Sequence, residues 1–321
     1  MDRQLSLEFA RITEQAALKS ARLVGLGDKE GADQAAVDGM HEQFALTPVS
    51  GTVVIGEGEI DEAPMLYIGE HVGQGGEEVD IAVDPVEGTN LVAKGKNGAI
   101  AVLAIAPKGC LLHAPDMYMQ KICVGPRAKG RIDIRASVTE NLKNVADAMG
   151  REVSDLTMVI LDRERHEKII REAREAGARV YLITDGDVVP SVDCGIQGSG
   201  IHMVMGSGGA PEGVLSAVGL KCLGGDMQAR LLPQTEQEIQ RLHTMGIDDP
   251  NKVLTLDDLV KGDDCIFAET AITDCAMLRG VRFFGGGART STLVLRYKTS
   301  TVRFIDTVHR FGEDKPGVRM F

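Results

Sequence analysis

Between Thr157 and Leu223 the chain alternates short β-branched runs with helical ones. Thr157–Leu161 reads as a strand, residues 165–176 as a helix, Arg179–Ile183 and Ile201–Met205 as strands, and Pro211 opens a helix that runs through Leu223. Proline suits a first helical turn, where its missing N–H costs nothing. Parallel neighbours in a sheet need long crossovers, so this alternation restricts the fold to α/β, with a parallel or mixed sheet covered by helices. Upstream, Leu5, Phe9, Ile12, Ala16 and Leu23 lie at helical spacing over residues 5–24, and a second helix is expected over Ala32–Phe44. Thr52–Ile55, Val79–Val83, Ala99–Ile105 and Tyr118–Val124 read as strands, and residues 137–149 as a helix closed by Gly150. Residues 234–245 suit a polar surface helix. The end reads as hairpins over Cys265–Ala271, Val281–Phe284, Ser291–Tyr297 and Thr301–Val308. Whether these join a second sheet or return to the first is open at this level. We place a boundary near residue 153, giving parts 1–153 and 154–321.

Chemistry concentrates where strands end. The run Glu78-Val-Asp-Ile-Ala-Val-Asp-Pro-Val-Glu-Gly-Thr-Asn90 delivers Asp84 from an apolar strand, and Pro85 is expected to stop it. Glu87, Gly88 and Thr89 follow at once. Carboxylates beside a Gly-Thr turn suit hard cations held next to a phosphate: Mg²⁺ and Mn²⁺ take oxygen ligands and keep positions open. Bare carboxylates would repel such an anion, so the acids imply metal. Glu57, in Gly56-Glu-Gly-Glu-Ile-Asp-Glu62, lies just past the strand Thr52–Ile55, where α/β folds build sites. Asp33 either caps the following helix or offers a carboxylate to a metal shared with Glu57. A hydroxyl such as Thr89 can orient a water if an acid such as Asp61 takes the proton.

Three further groups follow. Arg163 and Arg165 open a helix after Thr157–Leu161 and fit a second phosphate, or simply a charged helix start. Asp185-Gly-Asp187 closes the next strand and fits sugar hydroxyls, or a plain turn. In Met205-Gly-Ser-Gly-Gly-Ala-Pro-Glu-Gly213 the glycines permit close approach to an anion, and Glu212 could complete a metal shell. Neither a nucleotide-binding glycine motif nor a Gly-x-Ser-x-Gly elbow occurs.

Composition narrows the partners. A net charge of −12 argues against nucleic acid or an anionic membrane. No run of about 18 apolar residues occurs and the first residues do not resemble a secretory signal, so a cytoplasmic protein is expected. The six cysteines are scattered without zinc spacing and read as reduced, mostly buried thiols.

Asp84-Pro-Val-Glu-Gly-Thr89 resembles the Asp-Pro-x-Asp/Glu-Gly-Ser/Thr signature of the lithium-sensitive, metal-dependent sugar and inositol phosphatases. Ala32-Asp-Gln-Ala-Ala-Val-Asp38, Val53-Val-Ile-Gly-Glu-Gly-Glu59, Asp61-Glu-Ala-Pro-Met-Leu-Tyr-Ile-Gly-Glu70, Asp185-Gly-Asp187 and Gly206-Ser-Gly-Gly-Ala-Pro-Glu-Gly213 are closer still to the bacterial class II (GlpX-type) fructose-1,6-bisphosphatases. The resemblance implies a layered α/β/α/β/α sandwich and hydrolysis of the 1-phosphate of fructose 1,6-bisphosphate. It also implies two Mg²⁺ or Mn²⁺ sites: Asp33 and Glu57 for one ion, Asp84, Glu87 and Glu212 for the other. Gly88 and Thr89 would contact the scissile phosphate, with Glu87 beside them, and Thr89 with Asp61 would activate water. Tyr118, Arg163, Arg165, Asp185, Asp187 and Gly209 would hold the rest of the sugar bisphosphate. Glu164 stands where much of the family carries proline. A homo-oligomer, dimer or tetramer, is expected. Alternatives are a dual enzyme that also takes sedoheptulose 1,7-bisphosphate, an inositol monophosphatase, and a non-catalytic metal-dependent sugar-phosphate sensor.

Overall fold

The protein is described from a computed structural model, which covers residues 1–2, 4–58, 65–244, 247–249 and 251–311. Its helices are α1 (Leu5–Ser20), α2 (Lys29–Phe44), α3 (Thr89–Ala93), α4 (Val138–Met149), α5 (Glu167–Glu175), α6 (Val188–Asp193), α7 (Ala210–Leu223), α8 (Glu236–Thr244) and α9 (Leu256–Leu259). Its strands are β1 (Val49–Ile55), β2 (His71–Val72), β3 (Glu77–Glu87), β4 (Ile100–Pro107), β5 (Tyr118–Val124), β6 (Thr157–Leu161) and β7 (Arg179–Ile183). They continue with β8 (Met203–Gly209), β9 (Asp226–Leu231), β10 (Leu254–Thr255), β11 (Ile266–Ala271), β12 (Arg282–Phe284), β13 (Gly287–Arg296) and β14 (Thr301–Arg310).

Two mixed sheets form. The first runs β12-β13-β11-β4-β3-β1-β2, with β14 along the outer side of β13; the second runs β10-β9-β5-β8-β6-β7. The terminal hairpins therefore return to the first sheet, where β11 lies antiparallel to β4. Conversely, β5 leaves the early strands and sits between β8 and β9 of the second. Neither sheet is built wholly from one side of residue 153.

Three apolar clusters order five layers. Phe9, Ile12 and Ala16 of α1 with Met40 and Phe44 of α2 cover the outer face of the first sheet. Leu142 and Val145 of α4 with Ile170 and Ala173 of α5 cover the outer face of the second. Between the sheets lie α6 and α7, whose Val188, Val192, Val214, Leu215 and Val218 pack with side chains of both. Helix α7 is buried over most of its circumference, as a helix caught between two sheets must be. The outer helices keep one polar face each. This is the α/β/α/β/α sandwich.

Candidate active site

The central feature is an irregularity in β3. Asp84 pairs with Val102 and Glu87 with Ile100, so three steps on β3 match two on β4. Strict alternation would send residues 84 and 87 to opposite faces; the one-residue bulge cancels the odd step and turns both carboxylates the same way. The strand does not stop at Pro85, as its sequence suggested, but runs through to Glu87. Proline is tolerated because a bulge leaves one residue out of the ladder. Gly88 then takes φ +89°, and Thr89 begins α3.

Glu212 arrives from the first turn of α7. Its carboxylate and those of Asp84 and Glu87 have ligand oxygens all within 4.8 Å of one another. Asp33 and Glu57 hydrogen-bond to each other beside this trio, close enough for Glu57 to act on Asp84 through its charge. Asp33 is not a helix cap: Asp28 caps α2 by accepting Gly31 N–H at 2.8 Å, leaving Asp33 a turn inside the helix. All five acids, with Gly88 and Thr89, line one cavity of about 630 Å³.

Every one of the five titrates high. Burial, then the charge of Asp33, pushes Glu57 up to about 8. Burial, then Glu212 and Asp187, pushes Glu87 up to about 8, although a Val188 N–H at 3.2 Å opposes the shift. Asp84 is raised well above the usual carboxylate range by burial and by Glu87. Burial also raises Asp33 and Glu212. Among the described residues, Glu212 Oε2 is buried without a hydrogen-bond partner. Five desolvated acids around one cavity, one oxygen orphaned, are a donor set that fits divalent cations: the ions' charge reverses the cost of holding the carboxylates ionised.

The remaining predicted residues divide. Asp185 lines the same cavity and accepts from Asn90 Nδ2 at 2.9 Å. Arg163 Nη2 donates to Thr184 O at 2.8 Å, next to it. Arg165 donates to Ser207 Oγ at 3.0 Å and lies over the Tyr118 ring at 4.9 Å, forming a neighbouring wall. Asp187 faces inward and accepts from buried Lys121 Nζ at 2.7 Å. Burial alone would lower the Lys121 pKa, but Asp187 and Glu212 raise it, so the ammonium stays charged behind the site. Gly209 closes β8, and a Cβ there would collide with the Glu212 carboxylate. Asp61 lies outside the described residues. Lys29, Asn90 and Asp116 also line the cavity, and none was singled out from sequence. Lys121 was missed because it sits in an apolar strand, where a lone lysine reads as a solvent-facing position. His166 is structural: Nδ1 donates to Leu161 O at 2.8 Å, and Nε2 accepts Ser207 N–H at 2.9 Å.

A family model described as bacterial fructose-1,6-bisphosphatase, glpX-encoded, matches residues 3–309. The chain belongs to that family. It is 50% identical, over the whole of both chains, to a D-fructose 1,6-bisphosphatase class 2/sedoheptulose 1,7-bisphosphatase of Synechococcus sp. (strain JA-2-3B'a(2-13)). It is 47% identical to a protein of that name from Trichodesmium erythraeum (strain IMS101), over 98% of this chain and 99% of the other. An extragenic suppressor structure from Pyrococcus furiosus covers 57% of this chain and 66% of its own at 11% identity and a TM-score of 0.29, too distant to carry an argument. The bulge in β3 brings Asp84, Glu87, Gly88 and Thr89 to the cavity.

Proposed function

We propose that this cavity hydrolyses the 1-phosphate ester of fructose 1,6-bisphosphate, giving fructose 6-phosphate and inorganic phosphate. The reading is carried by one observation: five carboxylates from α2, the turn after β1, β3 and α7 meet beside Gly88 and Thr89 in a chain of this family. Asp33 and Glu57 would hold one Mg²⁺ or Mn²⁺, and Asp84, Glu87 and Glu212 another. Bound there, the ions would supply Lewis-acid polarisation of the phosphoryl oxygens and acidify a nearby water.

The chain's own groups do the positioning. Thr89 Oγ1 donates to Val86 O at 3.2 Å, which fixes the hydroxyl at the end of the bulge, where it orients the attacking water. Asp61 accepts that water's proton. The water oxygen bonds to phosphorus, the bond from phosphorus to the sugar oxygen breaks, and the departing oxygen gains a proton. Tyr118, Arg163, Arg165, Asp185 and Gly209 would hold the sugar and its second phosphate, and Asp187 would steady that wall through Lys121. Gluconeogenic carbohydrate metabolism, a cytoplasmic location and a homo-oligomeric state complete the proposal. No helix among the described residues is long and apolar enough to cross a membrane.

Sedoheptulose 1,7-bisphosphate is a second candidate substrate, favoured by the names of the cyanobacterial relatives. Phosphate release from a panel of sugar mono- and bisphosphates, with Mg²⁺ or Mn²⁺ and with chelator, tests both. Turnover of fructose 1,6-bisphosphate that survives complete chelation would overturn the metal assignment, and no turnover with either ion would overturn the activity.

A further inference from the structure

Glu57 lies two residues past the end of β1, with a glycine on either side, so no strand pairing fixes it. A metal ligand must nevertheless be held in place by the groups around it. The stretch Leu66–Glu70 supplies that hold, continuing the antiparallel pairing of β1 with β2. Val53 N–H donates to Glu70 O at 2.9 Å, and Gly69 N–H returns to Val53 O at 2.7 Å. Farther out, Ile68 N–H donates to Gly58 O at 2.9 Å, and Glu57 N–H donates to Leu66 O at 3.0 Å. The two stretches lie so close that a Cβ on Gly56 would stand 2.0 Å from Leu66 O.

The carbonyl that receives the Glu57 amide belongs to a strained residue. Leu66 takes φ +55°, and among the described residues only Ser300 shares a positive φ without being glycine. Crowding of Cβ against the backbone disfavours that conformation for leucine. The Leu66 side chain is fully buried in the apolar cluster beneath α1 and α2, and its N–H donates to Glu70 Oε2. The second Glu70 oxygen, Oε1, accepts from His41 Nε2 at 3.2 Å. His41 stands on α2, the helix that carries Asp33. One carboxylate thus reaches both acids assigned to a single ion: Glu57 through Leu66, and Asp33 through α2. Glu70, Leu66 and His41 are all absent from the lining of the catalytic cavity, so contact with substrate does not account for them.

We propose that Glu70 is a positioning residue for the cation held by Asp33 and Glu57. That role rests on the reading of those two acids as cation ligands. The Glu70 carboxylate keeps Leu66 in its left-handed conformation, which aims a carbonyl at the Glu57 amide. Without it Leu66 relaxes toward negative φ, the carbonyl swings away, and Glu57 hangs between two glycines. The trio Asp84, Glu87 and Glu212 is built on β3 and α7 and does not depend on this brace.

Mn²⁺ binding to the metal-free full chain, counted from the electron paramagnetic resonance of the free ion, tests this without turnover. Two ions per chain are expected for the parent. Glu70→Ala should weaken one of them by about 10- to 100-fold, as loss of a group that orients a ligand does, and leave the other unchanged. Glu70→Gln keeps an acceptor for the Leu66 N–H and should recover most of the loss. Combined with Glu57→Ala, Glu70→Ala should weaken binding no further, because the ligand it orients is already gone. His41→Ala removes only the arm to α2 and should weaken the same ion by less. Equal weakening of both ions, or additivity with Glu57→Ala, would show a merely structural Glu70 and overturn the proposal. So would parent-like binding in Glu70→Ala or, should that variant not fold, in His41→Ala. If Glu57→Ala itself keeps both ions at the parent's affinity, the cation assignment falls, and this role with it.

Discussion

Loading the catalytic cavity with cations should expel protons, and the number can be worked from the site. Carboxylates must be ionised to ligate a metal. At pH 7 a carboxyl group that titrates at about 8 is about 90% protonated, so Glu57 and Glu87 together hold close to two protons before metal arrives. Asp84 is raised in the same direction by burial and by Glu87. Filling the site at pH 7 should therefore release about two protons per chain from Glu57 and Glu87. Apparent affinity should climb about 100-fold between pH 6 and 7, then level off above about pH 9. Titration of metal-free protein with Mn²⁺ in two buffers of different ionisation enthalpy gives the count directly, and repeating it across pH gives the slope. Glu87→Gln should lower the count by about one and weaken binding. Release of less than about half a proton, or an affinity unchanged between pH 6 and 8, would refute the picture of a buried, protonated ligand set.

Further outcomes follow from single contacts. Thr89→Ala should cut kcat by about 10²–10⁴-fold while Thr89→Ser keeps most of it, read as phosphate release, with melting near the parent because one partly buried hydrogen bond to Val86 O is lost. Gly209→Ala should displace the Glu212 carboxylate and weaken metal binding by about tenfold or more, with the far-ultraviolet spectrum unchanged. Burial between the sheets pushes Asp193 up to about 7, and burial with the charge of Asp193 raises Glu269 well above its range. A carboxyl group raised in the fold stabilises most below its unfolded pKa and loses that contribution as pH rises through its folded one. Asp193→Asn should thus match the parent near pH 4 and exceed it by on the order of 2–4 kcal/mol at pH 8, measured by urea unfolding at fixed metal.

Much of this was legible in the chain. Tyr118–Val124, Thr157–Leu161 and Arg179–Ile183 read from sequence with their observed bounds, because short apolar runs between turn residues leave little choice. The convergence of acids from α2, the turn after β1, β3 and α7 was readable only through family resemblance; spacing alone left Asp33 with two roles. What failed was tertiary. Pro85 breaks a ladder in isolation, and only the neighbouring β4 reveals that a bulge accommodates it. The transfer of β5 to the second sheet, and the return of the last hairpins to the first, depend on pairings far apart in the chain that no local pattern encodes. Lys121 is likewise invisible until Asp187 is seen opposite it.

The kink at Asp84–Glu87 lies in an interior strand, paired to β4 on one side and just beyond the stretch Glu77–Ala82 that pairs with β1 on the other. The amides of Val79–Ala82 below it, paired on both sides, should be among the slowest to exchange with deuterated solvent, and the carboxylates they support among the least displaced by thermal motion. Rigidity is thereby placed under the ions, while adaptability is left to the rim, where β1 and β3 give way to loops. Substrate preference can then drift by changes at the rim without disturbing the ledge on which the chemistry stands.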